Sequence, residues 1–376
     1  MAITFGSTAA PSNITTYLDS LFAQSLANYK KELIDNIGAS NAFLYDLIKS
    51  EMYEEADGGT YLAENLMYAL APADSYSGYD EFGTNPTDGI TQAIYQWAQM
   101  ACPISYSMKE VIQNEHRLEN LVKSRIQQSE MGVQEGWAQA FMWGAATTGG
   151  NIYAARVSPA NGSTGINPLP MLVSYEPTSG NLVVGNIDSS VSTNAFWRNQ
   201  YATSAATTYS GFLYEMENMF NLCGLGTGGK VTHILLDQQS YQNWIHAYFT
   251  VYKTAAEDGS QEYPFIMKKW QGAKVIMDDK VPDAYSNQIP TEVAGISSGI
   301  TFGTAYFLNQ KFFRVRFHPE RDWEMLKDEN GKTFAKPING DSRTGAIAWM
   351  GNTTINNRRK HGVLAKLAGR PGGYAS

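Results

Sequence analysis

Hydrophobic positions along the chain keep first a helical and then an extended period. Ile14, Leu18, Leu21, Phe22, Leu26, Leu33 and Ile37 follow a possible Ser12 or Asn13 cap and stop at Gly38, which predicts an amphipathic helix that lies on another surface. Phe43, Leu44, Leu47 and Ile48 predict a shorter helix over Asn41 to Ser50. After the turn signal Asp57-Gly58-Gly59, "TYLAENLMYAL" and "ITQAIYQWAQMACPISYSM" read as extended segments around the polar stretch "APADSYSGYDEFGTNPTDG". Together they predict a β-hairpin arm of about 45 residues. A two-stranded hairpin is marginal alone in water, so the arm is expected to lie on another subunit.

The most regular helical stripe is Leu118, Val122, Ile126, Ser129, Val133, Trp137 and Ala140. It predicts a helix running to Trp143, about 40 Å long at helical rise. Gly132 and Gly136 sit inside it one turn apart, each costing about 1 kcal/mol relative to Ala. They are either a tolerated defect or a notch where another backbone comes close. Residues 151 to 210 are rich in Gly, Ser, Thr and Asn, with "NPLPMLVSY" and "NLVVGNI" as short strands. A helix over 211 to 223, a strand over 231 to 236, a helix over "SYQNWIHAYFTVYK" and a strand pair around "KVIMDDKVP" follow, making a mixed α+β unit. "TAYFLNQKFFRVRFHP" is a strong strand signal, and "DSRTGAIAWMGNTTINNRRKHGVLAKL" a closing strand with a basic end.

The loop "LCGLGTGGKVTHILL" complicates this picture. Gly224, Gly226 and Gly229 have G-x-G-x-x-G spacing, and Gly224 to Lys230 also fits G-x-x-x-x-G-K. Both motifs need a strand running in and a helix running out, so that free helical N–H groups face phosphate. Here the stripe Phe212, Leu213, Met216, Met219, Phe220, Cys223 is a helix running in, and Val231 to Leu236 is a strand running out. Val231 also stands where a P-loop needs a hydroxyl. The loop therefore reads as a helix–turn–strand connection, with Gly224 as its helix-ending glycine.

Composition removes further classes. With 376 residues, 43% hydrophobic and 12% aromatic, the chain can bury a large core, and no run of about 18 apolar residues is present. The N-terminus lacks the basic and apolar regions of a signal peptide, so use in a cytoplasm is expected. Cys102 and Cys223 give no disulfide framework and read as small buried hydrophobes. His116, His233, His246, His318 and His361 show no metal-ligand spacing, and no G-x-S-x-G elbow occurs. Asp278 and Asp279 are adjacent on a strand end and would point to opposite faces, a poor geometry for one active site. No catalytic, cofactor-binding or metal residue is assigned, and the chain is not expected to be an enzyme.

The net charge of −8 argues against a protein built around nucleic-acid backbone contacts. Its distribution is informative. Glu51, Glu54, Glu55, Asp57, Glu64, Asp74, Asp80, Glu81 and Asp88 fall between Glu51 and Met108 with no Lys or Arg among them. Lys109, Arg117, Lys123 and Arg125 follow at once on the predicted long helix. An acidic arm beside a basic helix suggests head-to-tail pairing between copies, closing into rings. The 22 tyrosines and 8 tryptophans fit the same reading, because such residues are enriched where proteins meet.

The order of these parts, with "DGGTYLAENLMYA", "YSGYDEFGTNPTDGITQAIYQWAQ", "LVKSRIQQSEMGVQEGWAQAF", "VGNIDSSVSTNAFWRNQ" and "GNTTINNRRKHGVL", resembles the major capsid protein of tailed bacteriophages. The resemblance implies an α+β capsid fold of the Hong Kong ninety-seven type, shared with encapsulins. It implies an N-terminal arm (1–57), an extended β-hairpin loop (58–105), a peripheral domain with a long spine helix (106–167), an axial domain (168–300) and return strands of the peripheral domain (301–376). It further implies a structural subunit that assembles through pentamers and hexamers into an icosahedral shell enclosing double-stranded DNA. Such a shell is assembled in the host cytoplasm, with separate scaffolding, portal and cement proteins as partners and neither cofactor nor membrane. The alternative is an encapsulin-like compartment holding a cargo enzyme. The interface residues expected on these grounds are Glu64, Tyr79, Asp80, Glu81, Phe82, Trp97, Arg117, Lys123, Arg125, Arg358 and Arg359. Some family members lock the shell with an isopeptide bond from a loop lysine. The absence of Lys between Glu51 and Met108 makes that version unexpected here.

Overall fold

The computed structural model describes residues 42–71, 73, 75–79, 88–113, 121–143, 165–175, 177–178, 183–251, 269–278, 280–281, 302–327, 332–337 and 340–368. The helix expected over Ser12 to Gly38 lies outside them. Two sheets carry the fold, and the chain passes between them repeatedly.

Helix α1 (Ala42–Lys49) buries Phe43, Leu44 and Leu47 of the four residues whose spacing predicts it and leaves Ile48 exposed. Strand β1 (Tyr53–Glu55) follows, then β2 (Leu62–Met67) and β3 (Ile90–Tyr95), which pair antiparallel with Leu62 opposite Tyr95 and Met67 opposite Ile90. The arm is therefore shorter than expected. The returning strand breaks at Gln96-Trp97, and β4 (Ala98–Ser107) leaves the hairpin to pair along the length of the late strand β14 (Ser342–Ile355). Its alternating small and apolar residues match that body sheet better than a solvent-exposed ribbon.

Helices α2 (Met108–Gln113) and α3 (Leu121–Trp143) come next. α3 lays Val133, Trp137, Ala138, Phe141 and Met142 into the core, and packs on β4 and β14. A Cβ on Gly132 would lie 3.7 Å from Cys102 Sγ, and one on Gly136 would lie 3.2 Å from Met100 Cε. The glycine notch is real, but it receives side chains of β4 rather than another backbone.

"NPLPML" is not a strand. Pro168 precedes the single turn α4 (Leu169–Leu172), where a proline at the first helical position loses no hydrogen bond. "NLVVGNI" folds as β5 (Val183–Val184) and β6 (Ile187–Asp188) around Gly185 and Asn186, both at positive φ. A 3₁₀ segment, Ser192–Trp197, leads to β7 (Gln200–Thr203).

Thr208 caps α5 (Tyr209–Gly224), its hydroxyl accepting from Gly211 N at 3.2 Å. Then come β8 (His233–Leu236), α6 (Gln238–Val251), β9 (Lys269–Trp270), β10 (Ala273–Met277), β11 (Phe302–Leu308), β12 (Phe313–Phe317), β13 (Glu324–Met325), β14 and β15 (Gly362–Ala368). One sheet runs β1-β12-β14-β13, with β4 also on β14; the other runs β7-β15-β11-β8-β10-β9. The segment 301–376 does not return as one unit. β11 and β15 lie in the six-stranded sheet, β12 and β14 in the five-stranded one, so the two late strand signals are each two strands joined by a turn between sheets. A nearly continuous apolar run hid the first turn, and the second lies in the basic stretch read as a strand end.

One core, rich in stacked aromatics, lies between α1, α3 and both sheets. Phe43 stacks on Phe141 (5.8 Å), Phe141 on Trp137 (5.1 Å), and Trp137 meets Trp349 edge-on (5.9 Å). A second core joins α5 and α6 to the six-stranded sheet through Phe212, Met216, Phe220, Trp244 and Leu364.

Candidate functional site

Among the described residues, exposed large apolar side chains are most concentrated in the arm. Its base is packed: Leu62, Leu66, Ala93 and Tyr95 are buried, and the Tyr95 hydroxyl donates to Ile355 O at 2.7 Å. Beyond the base, Met67, Leu70, Tyr76 and Ile90 are largely exposed, and Tyr79 is fully so (102%). Tyr68 stacks on Phe196, and its hydroxyl donates to Asp88 O. Such a base fixes the direction in which these exposed side chains leave the body.

The expected interface residues divide. Asp80, Glu81, Phe82 and Arg117 lie outside the described residues, as does the side chain of Lys123. Tyr79 and Arg359 are exposed. The others are engaged within the chain. Glu64 accepts from Arg316 Nη1 (3.3 Å) and Thr354 Oγ1 (3.1 Å), and burial holds its carboxyl above the usual range despite that arginine. Trp97 Nε1 donates to Gly59 O at 2.8 Å, and its ring meets His318 edge-on. Arg125 pairs with Glu110 at 3.1 Å and also donates to Ser105 O, bracing α3 against the end of β4.

Arg358 is fully buried. It donates to Leu172 O (2.8 Å), Met171 O and Asn199 Oδ1, closing the carbonyl end of α4, and burial brings its guanidinium down to about 10. Assigning it to a surface is thus a correction: "NRRKHG" mixes an inward Arg358 and Lys360 with an outward Arg359, an alternation that sequence charge alone does not show.

The glycine loop connects, as its flanks predict. Gly224 closes α5 as its last helical residue, not as a left-handed glycine beyond it, and Leu225 is the cap. The left-handed positions are Gly226, Gly228 and Gly229. Leu225 O accepts from Lys360 Nζ at 2.7 Å, and the Gly228 and Gly229 carbonyls accept from Asn309 Nδ2 at 3.4 Å each. The polypeptide then enters β8, so the loop does not open a helix.

Several described titratable groups elsewhere tie elements together. Asp46 on α1 lies 2.9 Å from His233 Nε2 and 2.7 Å from Lys274 Nζ, while Asp278 Oδ2 accepts from Phe43 N at 3.2 Å. α1 is thereby tied at both its N-terminus and its middle to β8 and β10. Burial lowers His233 more than the carboxylate of Asp46 raises it. Tyr53 OH donates to Asp322 and accepts from Trp323 Nε1 (3.1 Å) and Trp349 Nε1 (3.0 Å); burial raises it. Among the described residues no His, Cys, Asp and Glu group has the arrangement of a metal centre. Asp279, the neighbour of Asp278 in the sequence, lies outside them.

No family model matches the chain, and no curated protein matches it in sequence. Solved structures do match. The cyanophage A-1(L) capsid asymmetric unit has a TM-score of 0.59 at 12% identity, over 91% of this chain and 97% of that one. The capsid of a native GTA particle gives 0.55 at 9%, over 95% and 100%. A holo-SrpI encapsulin complex from Synechococcus elongatus gives 0.51 at 9%, over 95% and 97%. The fold is that of phage capsid proteins and encapsulins, the class that the order of sequence segments resembled. At these identities the likeness is one of fold.

Proposed function

We propose that the chain is a structural subunit that assembles through pentamers and hexamers into an icosahedral shell enclosing double-stranded DNA. The observation that carries this reading is the capsid fold over nearly the whole chain, combined with an arm whose described apolar and aromatic side chains beyond the base are exposed. On this reading 1–57 is an N-terminal arm, the β2–β3 hairpin is the extended loop lying on a neighbour, the five-stranded sheet with α3 is the peripheral domain, and the six-stranded sheet with α5 and α6 is the axial domain. Tyr79, Asp80, Glu81, Phe82 and Arg359, with Arg117 and Lys123, remain the interface residues of this proposal, and no group acts as a catalyst. The shell belongs to a virion and is assembled in a host cytoplasm, with scaffolding, portal and cement proteins as separate partners.

The encapsulin likeness supports a second reading, a compartment for a cargo protein, which differs in contents and not in architecture. Electron microscopy of the chain expressed alone tests the assembly. Closed shells or five- and six-membered rings are expected, and a uniform dimer or tetramer at every salt and concentration would refute it. Nuclease-protected DNA in particles from the natural source separates the two readings of the contents.

A further inference from the structure

Three turns meet at one corner of the molecule. They are the glycine loop 225–231, the 309–312 turn between β11 and β12, and the 356–361 turn between β14 and β15. Besides the Lys360 and Asn309 hydrogen bonds to the glycine loop, Asn356 N donates to Phe312 O at 3.2 Å, and the Phe312 ring fills the space beside Gly228, where a Cβ would clash.

This corner is basic in an acidic protein. No Asp or Glu occurs between Glu217 and Asp237, between Glu292 and Glu320, or after Asp341. Lys230, Lys311 and Arg359 are exposed on it, and no described carboxylate pairs with any of them. The backbone N–H groups of Gly226 to Lys230 donate to no described residue. Leu225 (58% exposed) and the partly exposed Phe312 add apolar surface between the cations.

We infer that this corner receives the acidic arm tip of a second copy of the chain. The inference rests on the shell reading and names the surface that the arm covers. The segment from Leu70 to Ile90 carries Asp74, Asp80, Glu81 and Asp88 with no Lys or Arg, and its Leu70, Tyr76, Tyr79 and Ile90 are exposed. An acidic aromatic strip thus meets a cationic apolar corner, with Lys and Arg placed to pair with carboxylates and to lie over tyrosine rings. Of the cations that the sequence suggested as acceptors near the long helix, Arg125 is already paired with Glu110. Nucleic acid, the other polyanion a basic corner could hold, is disfavoured by the net charge of −8, which opposes the approach of a phosphate backbone.

A charge swap tests this. Lys230→Glu with Lys311→Glu alters only exposed side chains, and Asp80→Lys with Glu81→Lys makes the complementary change; a thermal melt first confirms that each folds. Each pair is expected to lower the fraction of assembled particles about tenfold at low salt, and all four changes together to restore it. A labelled peptide of residues 70–90 titrated into the full chain is expected to bind, and to lose about tenfold in affinity for the Lys230→Glu, Lys311→Glu variant. Unchanged assembly and unchanged peptide affinity in that variant would overturn the inference, as would failure of the combined variant to recover. Binding of a DNA duplex that disappears in the same variant while assembly is retained would reassign the corner to nucleic acid. If the wild type forms no rings or shells, the assembly reading fails by itself and the peptide titration still decides the corner.

Discussion

Filling the glycine notch of α3 measures whether the long helix lies on β4 as described. A glycine inside a helix costs about 1 kcal/mol relative to alanine, chiefly in backbone entropy. At Gly132 the added methyl would meet Cys102 Sγ at 3.7 Å, an ordinary van der Waals distance, so Gly132→Ala should recover most of that amount. At Gly136 it would approach Met100 Cε at 3.2 Å. The neighbour there is the end of a flexible side chain, so Gly136→Ala should gain less, about 0.5 kcal/mol. Gly136→Val adds branches where no room remains, and overpacking of this kind costs about 1–3 kcal/mol. Urea titration of the purified chain at dilution reads these values as midpoint shifts at constant slope. Destabilisation by Gly132→Ala, or full tolerance of Gly136→Val, would show that α3 does not rest on β4 in this register. A Gly132→Ala chain that is more stable yet assembles poorly would show that the exposed edge of the notch is filled by another copy.

His361 is fully buried, and burial first and Arg358 second bring its imidazole down to about 3. The unfolded chain takes up a proton below about pH 6.5 that the folded chain refuses. Stability conferred by the neutral ring is therefore complete above that pH and falls by about 1.4 kcal/mol per pH unit below it. His361→Gln should remove this component, measured as a shallower loss of unfolding free energy between pH 6.5 and 5. Burial pushes the Cys223 thiol up to about 12, so alkylation of the native chain should modify the half-buried Cys102 and spare Cys223 until denaturant is added. Asp46→Asn should free α1 from Lys274, seen as faster proteolysis near Phe43 with the rest of the chain protected. Trp97→Phe keeps an aromatic ring against His318 but loses the donor to Gly59, and should loosen the start of the arm by about 1 kcal/mol in hydrogen exchange.

Helices were the most legible elements, because α3 and α5 carry one apolar face each and α1 buries three of the four residues its spacing singles out. Sheet membership was not legible. β11 and β12 form one apolar run in the sequence, and only the Asn309-Gln310-Lys311 turn, weak as a signal, sends the second half to another sheet. The arm was overextended for a related reason: β3 and β4 share one alternation, and the departure at Trp97 depends on a partner strand far away in the chain. Charge predicted an acidic arm correctly as composition, yet misplaced the free cations. Arg125 and Arg358 are held by contacts to Glu110 and to the α4 carbonyls that no spacing announces, while Lys230, Lys311 and Arg359 come together only through the fold.

The strand order has a consequence for synthesis. β1 lies parallel to β12, and β4 depends for its sheet partner on β14, so early strands wait for nearly the last part of the chain. β7 likewise waits for β15. Pairings of such sequence separation close late and slowly, since loop entropy is lost before they form. A nascent chain lacking β14 has an arm but no sheet to anchor it beneath. A chain truncated before β14 therefore leaves β4 without the partner it has here, and the five-stranded sheet is complete only once nearly the whole sequence has been made.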